Sequence, residues 1–274
     1  MTEPRVVLQR VALAAYHTAN RRGWLDSRLA EAVFHRCYFA YKRLVEDPFA
    51  KLVATRPELF RGGDVIDVGA NIGYTVTLFA RALDPGRRVY AFEPEQRNFR
   101  RLQHVIERTG LTDRVVAHRS AVGAREGTIE LWHNAAHHAD HRIATTAQRA
   151  ADPEQIQRVE LTSVDASVAR LGCPPIAFIK IDVQGYEPEV LRGARRTLAQ
   201  NPHACVAIEF APSTIAELGF DADEFLRELA DARPHLSILG RGGRLRAAEI
   251  ADIRRAARES EFGYVDLVCV STRS

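Results

Sequence analysis

From residue 64 onward, short apolar runs alternate with longer stretches whose apolar residues recur every three or four positions. The first run, DVIDVG, reads as a strand, and IGYTVTLFARAL after it reads as a helix. RVYAFEP is a second strand and EQRNFRRLQHVIERTG a second helix, with Asp84-Pro85-Gly86 as the turn between first helix and second strand. A third strand is predicted over about 114–122. The alternation then breaks. TIELWHN and VELTSVD read as strands with a polar segment between them. It resumes with the strand AFIKIDV at about 177–183, the helix EPEVLRGARRTLAQ and the strand ACVAIEF. A helix over about 221–231 and a terminal hairpin of SILG with YVDLVCV complete the pattern, the last strand antiparallel. Strands alternating with helices predict an α/β domain whose mostly parallel sheet is covered on both faces.

Upstream, helices are expected over 5–23, interrupted at Gly23, and over about 26–46, ended by Asp47-Pro48. Leu29, Val33, Cys37 and Tyr41 fall on one face of the second. The predicted organisation is a helical extension over 1–60 and one α/β domain over 61–274, with a loop or lid at about 132–157. The extension can cap a site or carry a homodimer contact; the pattern leaves both open. Its apolar run VALAAY is short and flanked by Arg10 and His17, so no secretion signal is expected. No run reaches the length of a membrane span, so no membrane insertion is expected.

Composition narrows the class. Of 274 residues, 46% are hydrophobic and 27% charged, which excludes fibrous and disordered chains. The net charge of +3 comes with no Lys/Arg block able to follow a phosphate backbone, so a nucleic-acid partner is not expected. Cys37, Cys173, Cys205 and Cys269 form no CxxC pair, which argues against thiolate zinc and fits a reducing, cytoplasmic compartment. Cys205 and Cys269 lie in apolar runs and read as core.

Ligands of an open parallel sheet gather beyond the carboxyl ends of its strands. Asp67 stands at such an end. Gly69 and Gly73 permit a tight turn and close approach of a ligand to the backbone, and Asn71 can fix the loop or donate to a ligand carboxylate. The next helix points free N–H groups toward the same crevice. Glu93, 20 residues beyond Gly73, can accept both ribose hydroxyls of an adenosine. A dinucleotide fingerprint would put glycine where Asn71 and Tyr74 stand, and no Walker pattern is present. These absences disfavour NAD and P-loop ATP chemistry. A nucleoside without a pyrophosphate remains, and S-adenosylmethionine suits it.

Six stretches then occur in one order: DVGANIGYTVTLFA, FEPEQRNFRRL, SAVG, TSVDA, FIKIDVQGYEPEVLRGARRTL and VAIEF, across about 64–210. In them the chain resembles the FkbM-type methyltransferases, a family of class I S-adenosylmethionine-dependent enzymes. The resemblance implies a Rossmann-like, mostly parallel seven-stranded sheet. It implies that Asp67, Gly69, Ala70, Asn71, Gly73 and Tyr74 line the cofactor's methionine side, that Glu93 with Pro94 holds the ribose, and that Ser120 and Ala121 lie near the adenine. The product would be S-adenosylhomocysteine. Family members mostly resemble O-methyltransferases acting on hydroxyls of sugars, polyketides and other secondary metabolites. Many members read DVEGAE where this chain reads DVQGYE, which alters the side chains at Gln184 and Tyr186.

Methyl transfer rests mainly on positioning and electrostatic complementarity, and a hydroxyl acceptor gains from a nearby base. Lys180 and Asp182 alternate on one face of a strand that is otherwise core. Asp182 is the leading candidate, as base, acceptor anchor, cofactor contact or metal ligand. Lys180 is its ion-pair partner, and a purely structural pair is the alternative. Glu209 closes the next strand and faces Asp182 across the crevice. Glu187 is expected to cap the following helix. His133, His137, His138 and His141 crowd into nine residues. His138 is the candidate base among them, His137 and His141 pair with Asp182 and Glu209 as candidate ligands for a divalent cation such as Mg, and a plain polar loop is the alternative. Trp132 and Tyr186 either wall an acceptor or pack. The leading expectation is an O-methyltransferase tailoring a small hydroxylated natural product. An N-methyltransferase on an amine, a NAD-dependent oxidoreductase and a non-catalytic scaffold are the competitors.

Overall fold

The computed structural model describes residues 48–133 and 142–271. The two helices expected upstream of Pro48 lie outside the described residues. Helix α1 (Phe49–Thr55) and a 3-10 turn (Pro57–Phe60) precede strand β1 (Asp64–Val68). Then follow α2 (Tyr74–Ala82), β2 (Val89–Phe92), α3 (Gln96–Arg108) and β3 (Val115–His118). After an excursion into a second sheet come β8 (Ile176–Ile181), α6 (Glu187–Arg192), α7 (Arg195–Gln200) and β9 (Cys205–Phe210). The chain ends with α8 (Pro212–Glu217), α9 (Ala222–Ala232), β10 (His235–Leu239), β11 (Leu245–Ala247), α10 (Ile250–Glu259) and β12 (Val265–Val270). Residues from Phe49 onward form one unit.

The main sheet has eight strands in the order β11-β10-β12-β9-β8-β1-β2-β3. The five from β9 to β3 are parallel, while β12 runs antiparallel to both β9 and β10, and β11 antiparallel to β10. The sheet is therefore mixed and eight-stranded, not the mostly parallel seven-stranded sheet expected. The extra strand arises because Gly240–Gly243 turns the chain straight back after β10: Gly243, at φ +72°, donates to Gly240, and Gly240 donates to Arg244. The antiparallel last strand agrees with the sequence reading, but SILG and YVDLVCV pair across an intervening strand and helix rather than as a simple hairpin.

The predicted third strand is split. β3 stays in the main sheet, whereas β4 (Ala121–Val122) joins a four-stranded sheet, β4-β7-β5-β6, with β5 (Gly127–Trp132), β6 (Arg142–Ile143) and β7 (Ile156–Thr162). The expected lid at 132–157 thus contains β6 and a short helix, α4 (Thr146–Ala151), started by a capping box of Thr145 and Gln148. Residues 134–141 within it are outside the described residues. Helix α5 (Val164–Arg170), capped by Ser163, returns the chain to β8.

Alternate residues of the main sheet feed two cores. Ile66, Val68, Phe92, Ile179, Ile181, Val206 and Ile208 pack with residues of α6, α7, α9 and α10. Val65, Val89, Ala91, Phe178 and Ala207 pack on the other face with α1, α2 and α3. There Phe60 stacks on Phe178 at 4.4 Å and on Phe79 at 5.3 Å. Each of these rings is fully buried, worth about 2–3 kcal/mol of apolar transfer. This aromatic block fixes the 3-10 turn before β1 and the helix α2 after it against β8. Cys205 and Cys269 are buried, as expected of core residues.

Candidate active site

The β1–α2 turn is built from three left-handed residues: Gly69 (φ +81°), Asn71 (φ +48°) and Gly73 (φ +90°). Protein atoms fill the space the two glycines free. A Cβ at Gly69 would lie 1.8 Å from the Asp182 carbonyl oxygen, and one at Gly73 would lie 2.7 Å from Leu102. The expected close approach of a ligand is therefore taken up by the chain itself: these glycines let β1 and α2 seat against β8 and α3. Gly69 and Ala70 both donate to the Phe92 carbonyl at 3.0 Å, which ties the turn to the end of β2.

Asp67 is fully buried at the end of β1. Its Oδ2 accepts from the Thr75 hydroxyl at 2.5 Å, while its Oδ1 has no hydrogen-bond partner and lies 3.6 Å from Lys180 Nζ. Burial raises the Asp67 pKa, and the Lys180 ammonium opposes the rise. Glu93, at the end of β2, is buried as well. Its Oε2 accepts from Asn71 N–H at 2.9 Å and its Oε1 from Glu95 N–H at 3.0 Å. Burial pushes this carboxyl up to about 8. Ser120 and Ala121 are buried where the chain passes from β3 to β4. Ala70 and Tyr74 are buried in the turn and first helical position, and Pro94 is half-buried.

Lys180 and Asp67 are register partners across β8 and β1. The buried Lys180 reaches Asp182 Oδ2 at 3.2 Å, so one ammonium stands between the carboxylates of two strand ends. Asp182 and Glu209 do come together, through a residue that strand-end logic did not supply. Gln184 Nε2 donates to Asp182 Oδ1 at 3.1 Å and to Glu209 Oε1 at 3.3 Å. Burial, followed by the neighbouring Asp182, Asp266 and Glu187, raises the Glu209 pKa well above the usual carboxylate range. Asp266 is its cross-strand partner on β12.

Glu187 does not cap its own helix. It is fully buried, and its oxygens accept from Val183 N–H and Gly185 N–H at 2.9 Å each, closing the loop that carries Gln184. Burial pushes it up to about 7. Gly185, at φ +103°, lies against the Thr214 carbonyl of α8, which leaves no room for a side chain.

Two further groups tie the small sheet to the main domain. Tyr186 packs on Phe220 at 5.9 Å and on the cluster of Ala121, Leu131, Val159 and Leu161. Trp132 and Arg142 are register partners on β5 and β6. The Arg142 guanidinium sits 5.8 Å from the Trp132 ring centre and pairs with Glu217 of α8 at 2.7 Å. Sequence reasoning missed Arg142, since only β-pairing brings it beside a residue ten positions away. His137, His138 and His141 lie outside the described residues. Among the described residues no group of three or more His, Cys, Asp and Glu is placed to hold a metal ion. Also among them, no helix is long and apolar enough to cross a membrane.

A doubly covered α/β sheet, with buried acids at the ends of its first two parallel strands and a left-handed turn between strand and helix, is a class I methyltransferase-like fold. Residues 67–233 match the family model described as the methyltransferase FkbM domain, and the chain belongs to that family. Among solved structures, it is similar to methyltransferase FkbM from Methylobacillus flagellatus KT, at 19% identity and a TM-score of 0.45, over 73% of this chain and 48% of that one. The chain thus spans about half of that protein's length. It is also similar to an O-methyltransferase from Bacillus cereus in complex with SAH (16% identity, TM-score 0.43, 81% of this chain and 79% of that one). A third is the O-methyltransferase TomG from Streptomyces achromogenes, in complex with SAM (15% identity, TM-score 0.48, 95% and 90%). No curated protein matches the chain.

Proposed function

We propose that this protein is an S-adenosylmethionine-dependent O-methyltransferase acting on a hydroxyl of a small natural product or sugar moiety. The observation that carries the reading is the buried Asp67 carboxylate beside the left-handed turn, with one oxygen lacking a hydrogen-bond partner, next to the buried Glu93 carboxylate at the following strand end. This pair of carboxylate acceptors fits a nucleoside that bears an ammonium and no pyrophosphate. Asp67 with Ala70, Asn71 and Tyr74 would hold the methionine side, on a turn that Gly69 and Gly73 shape, with Glu93 and Pro94 at the ribose and Ser120 and Ala121 at the adenine. When bound, S-adenosylmethionine supplies an electrophilic methyl group on a sulfonium.

The chain's own residues supply position and a proton acceptor. Asp182 is held by Lys180 and Gln184 at the rim and is half-buried. An acceptor hydroxyl hydrogen-bonded to Asp182 would pass its proton to the Asp182–Glu209 pair as its oxygen attacks. Trp132, Arg142 and Tyr186 would wall the acceptor. Cys173, Cys205 and Cys269 are free thiols.

Calorimetric titration with S-adenosylhomocysteine, with NAD as the parallel control, tests the cofactor. Saturable binding of S-adenosylhomocysteine alone is expected; binding of NAD alone would reject the reading. Methyl transfer from labelled S-adenosylmethionine to a panel of hydroxylated and amine-bearing metabolites then separates oxygen from nitrogen acceptors.

A further inference from the structure

We infer that Gln184 is a positioning residue whose amide bridges the Asp182 and Glu209 carboxylates and fixes them side by side at the acceptor rim. The inference deepens the function proposed above, because the pair matters to turnover only if an acceptor proton is taken up there.

The geometry is specific. A primary amide carries two N–H donors on one nitrogen, and both of these are spent on carboxylate oxygens of neighbouring strand ends, at 3.1 and 3.3 Å. Such reach requires the backbone to turn. Gln184 has φ +56°, a left-handed conformation uncommon for a residue with a Cβ. The loop that imposes it is over-determined. The Glu187 carboxylate bonds the amides of Val183 and Gly185 on either side of Gln184, and Gly185 is wedged against the Thr214 carbonyl. A left-handed residue held by a buried carboxylate, with its side chain aimed at two acids, is costly unless its placement matters.

The charges around the two acids favour a neutral donor at this position in this chain. Glu209 is faced by Asp182 after β8, by Asp266 on β12 and by Glu187 at the start of α6, with Lys180 on β8 as the opposing cation. Lys180 is itself shared between Asp182 and Asp67. A glutamate at position 184 would bring a further carboxylate between Asp182 and Glu209. The amide instead donates to both carboxylates and so stabilises each in its ionised form.

The test follows the Glu209 carboxyl directly. Protein labelled with 13C at glutamate carboxyl carbons is titrated by NMR, the Glu209 resonance being identified by its loss in Glu209→Gln. Gln184→Met keeps length and shape but donates nothing, and its Glu209 midpoint is expected to rise by about one pH unit. Gln184→Glu is expected to raise it further and to separate two titration steps. Gln184→Asn retains an amide and tolerates the left-handed backbone, but is one methylene too short to span both acids; its midpoint is expected to rise like that of the Met variant. A midpoint that stays at the wild-type value in those variants that melt like wild type would overturn the inference. Titrating the same wild-type sample with S-adenosylhomocysteine keeps the two readings apart. Failure to bind would sink the cofactor reading and leave the Glu209 result standing.

Discussion

Glu93 shows how much chemistry one buried side chain can carry. Its two oxygens are oriented by Asn71 N–H and Glu95 N–H, and burial raises its pKa to about 8. Ribose hydroxyls donate, so they favour the ionised carboxylate. Below pH 8 a proton must leave before the diol is accepted. Affinity for S-adenosylhomocysteine is therefore expected to rise with pH between about 6.5 and 8.5, by up to tenfold per unit below the midpoint. Calorimetry in buffers of different ionisation enthalpy should detect the released proton. Glu93→Gln should weaken binding about 10- to 100-fold, the value of charge-assisted hydrogen bonds, and should flatten the pH dependence. Undiminished affinity would remove Glu93 from the site. Asp182→Asn is expected to do the opposite, leaving S-adenosylhomocysteine affinity near wild type and lowering turnover about 10²- to 10⁴-fold once an acceptor is found. Normal turnover would remove its proposed role. Strand-end positions made Asp67, Glu93, Asp182 and Glu209 legible in the sequence, because period two and the carboxyl-end rule fix where such side chains must lie. Gln184 was legible only as a departure from the family pattern. Its reach depends on a backbone angle that no pattern of residue types reveals.

Among the elements, the β1–α2 turn and the α2–β2 turn carry two kinds of glycine. Gly69 and Gly86 share a left-handed φ, +81° and +79°, yet a Cβ at Gly69 would overlap the Asp182 carbonyl while one at Gly86 would meet nothing within 4 Å. Gly86→Ala is expected to cost only the backbone strain, about 1 kcal/mol. Gly69→Ala should cost about 4 kcal/mol or more, because β1 and β8 must separate at the site. Urea denaturation of the two variants reads the difference, and equal losses would mean that the contact with Asp182 carries no weight. The parallel strands were legible because each is a short apolar run followed by a helical pattern. Of the small sheet, β5 and β7 were legible, as TIELWHN and VELTSVD, but β4 and β6 were not. Its strand β4 has two residues, and β6 pairs through Leu131↔Ile143 and Trp132↔Arg142 across a polar stretch. Helix α10 also escaped notice, since its apolar residues sit in a heavily charged segment and only Ile253 and Ala257 are buried. Tertiary packing, not local pattern, decides such elements.

At the scale of the whole molecule, these carboxyls make stability depend on pH in an unusual direction. Burial raises Glu93 to about 8 and Glu187 to about 7, and raises Glu209 as well. In the unfolded chain all three return to about 4.3. Across the interval between, the native state holds more protons than the unfolded state. The stabilising contribution is complete below the unfolded pKa and is lost as pH rises through the folded values. His118 works the other way: burial lowers its pKa, so it weakens the fold only as pH falls below about 6.5, where the unfolded imidazole protonates. From pH 6.5 to 8.5 the carboxyls dominate. Unfolding free energy measured in urea is therefore expected to fall across that range, by at most about 1.4 kcal/mol per pH unit for each buried group. Glu187→Gln should be less steep than wild type below pH 7, because one titrating group has gone. Saturating S-adenosylhomocysteine should flatten the fall, since ligand that binds the ionised Glu93 offsets its deprotonation in the native state. Stability that rises from pH 6.5 to 8.5 would mean that these carboxylates are solvated or paired in the native state, and would remove the electrostatic basis for a proton acceptor at this rim.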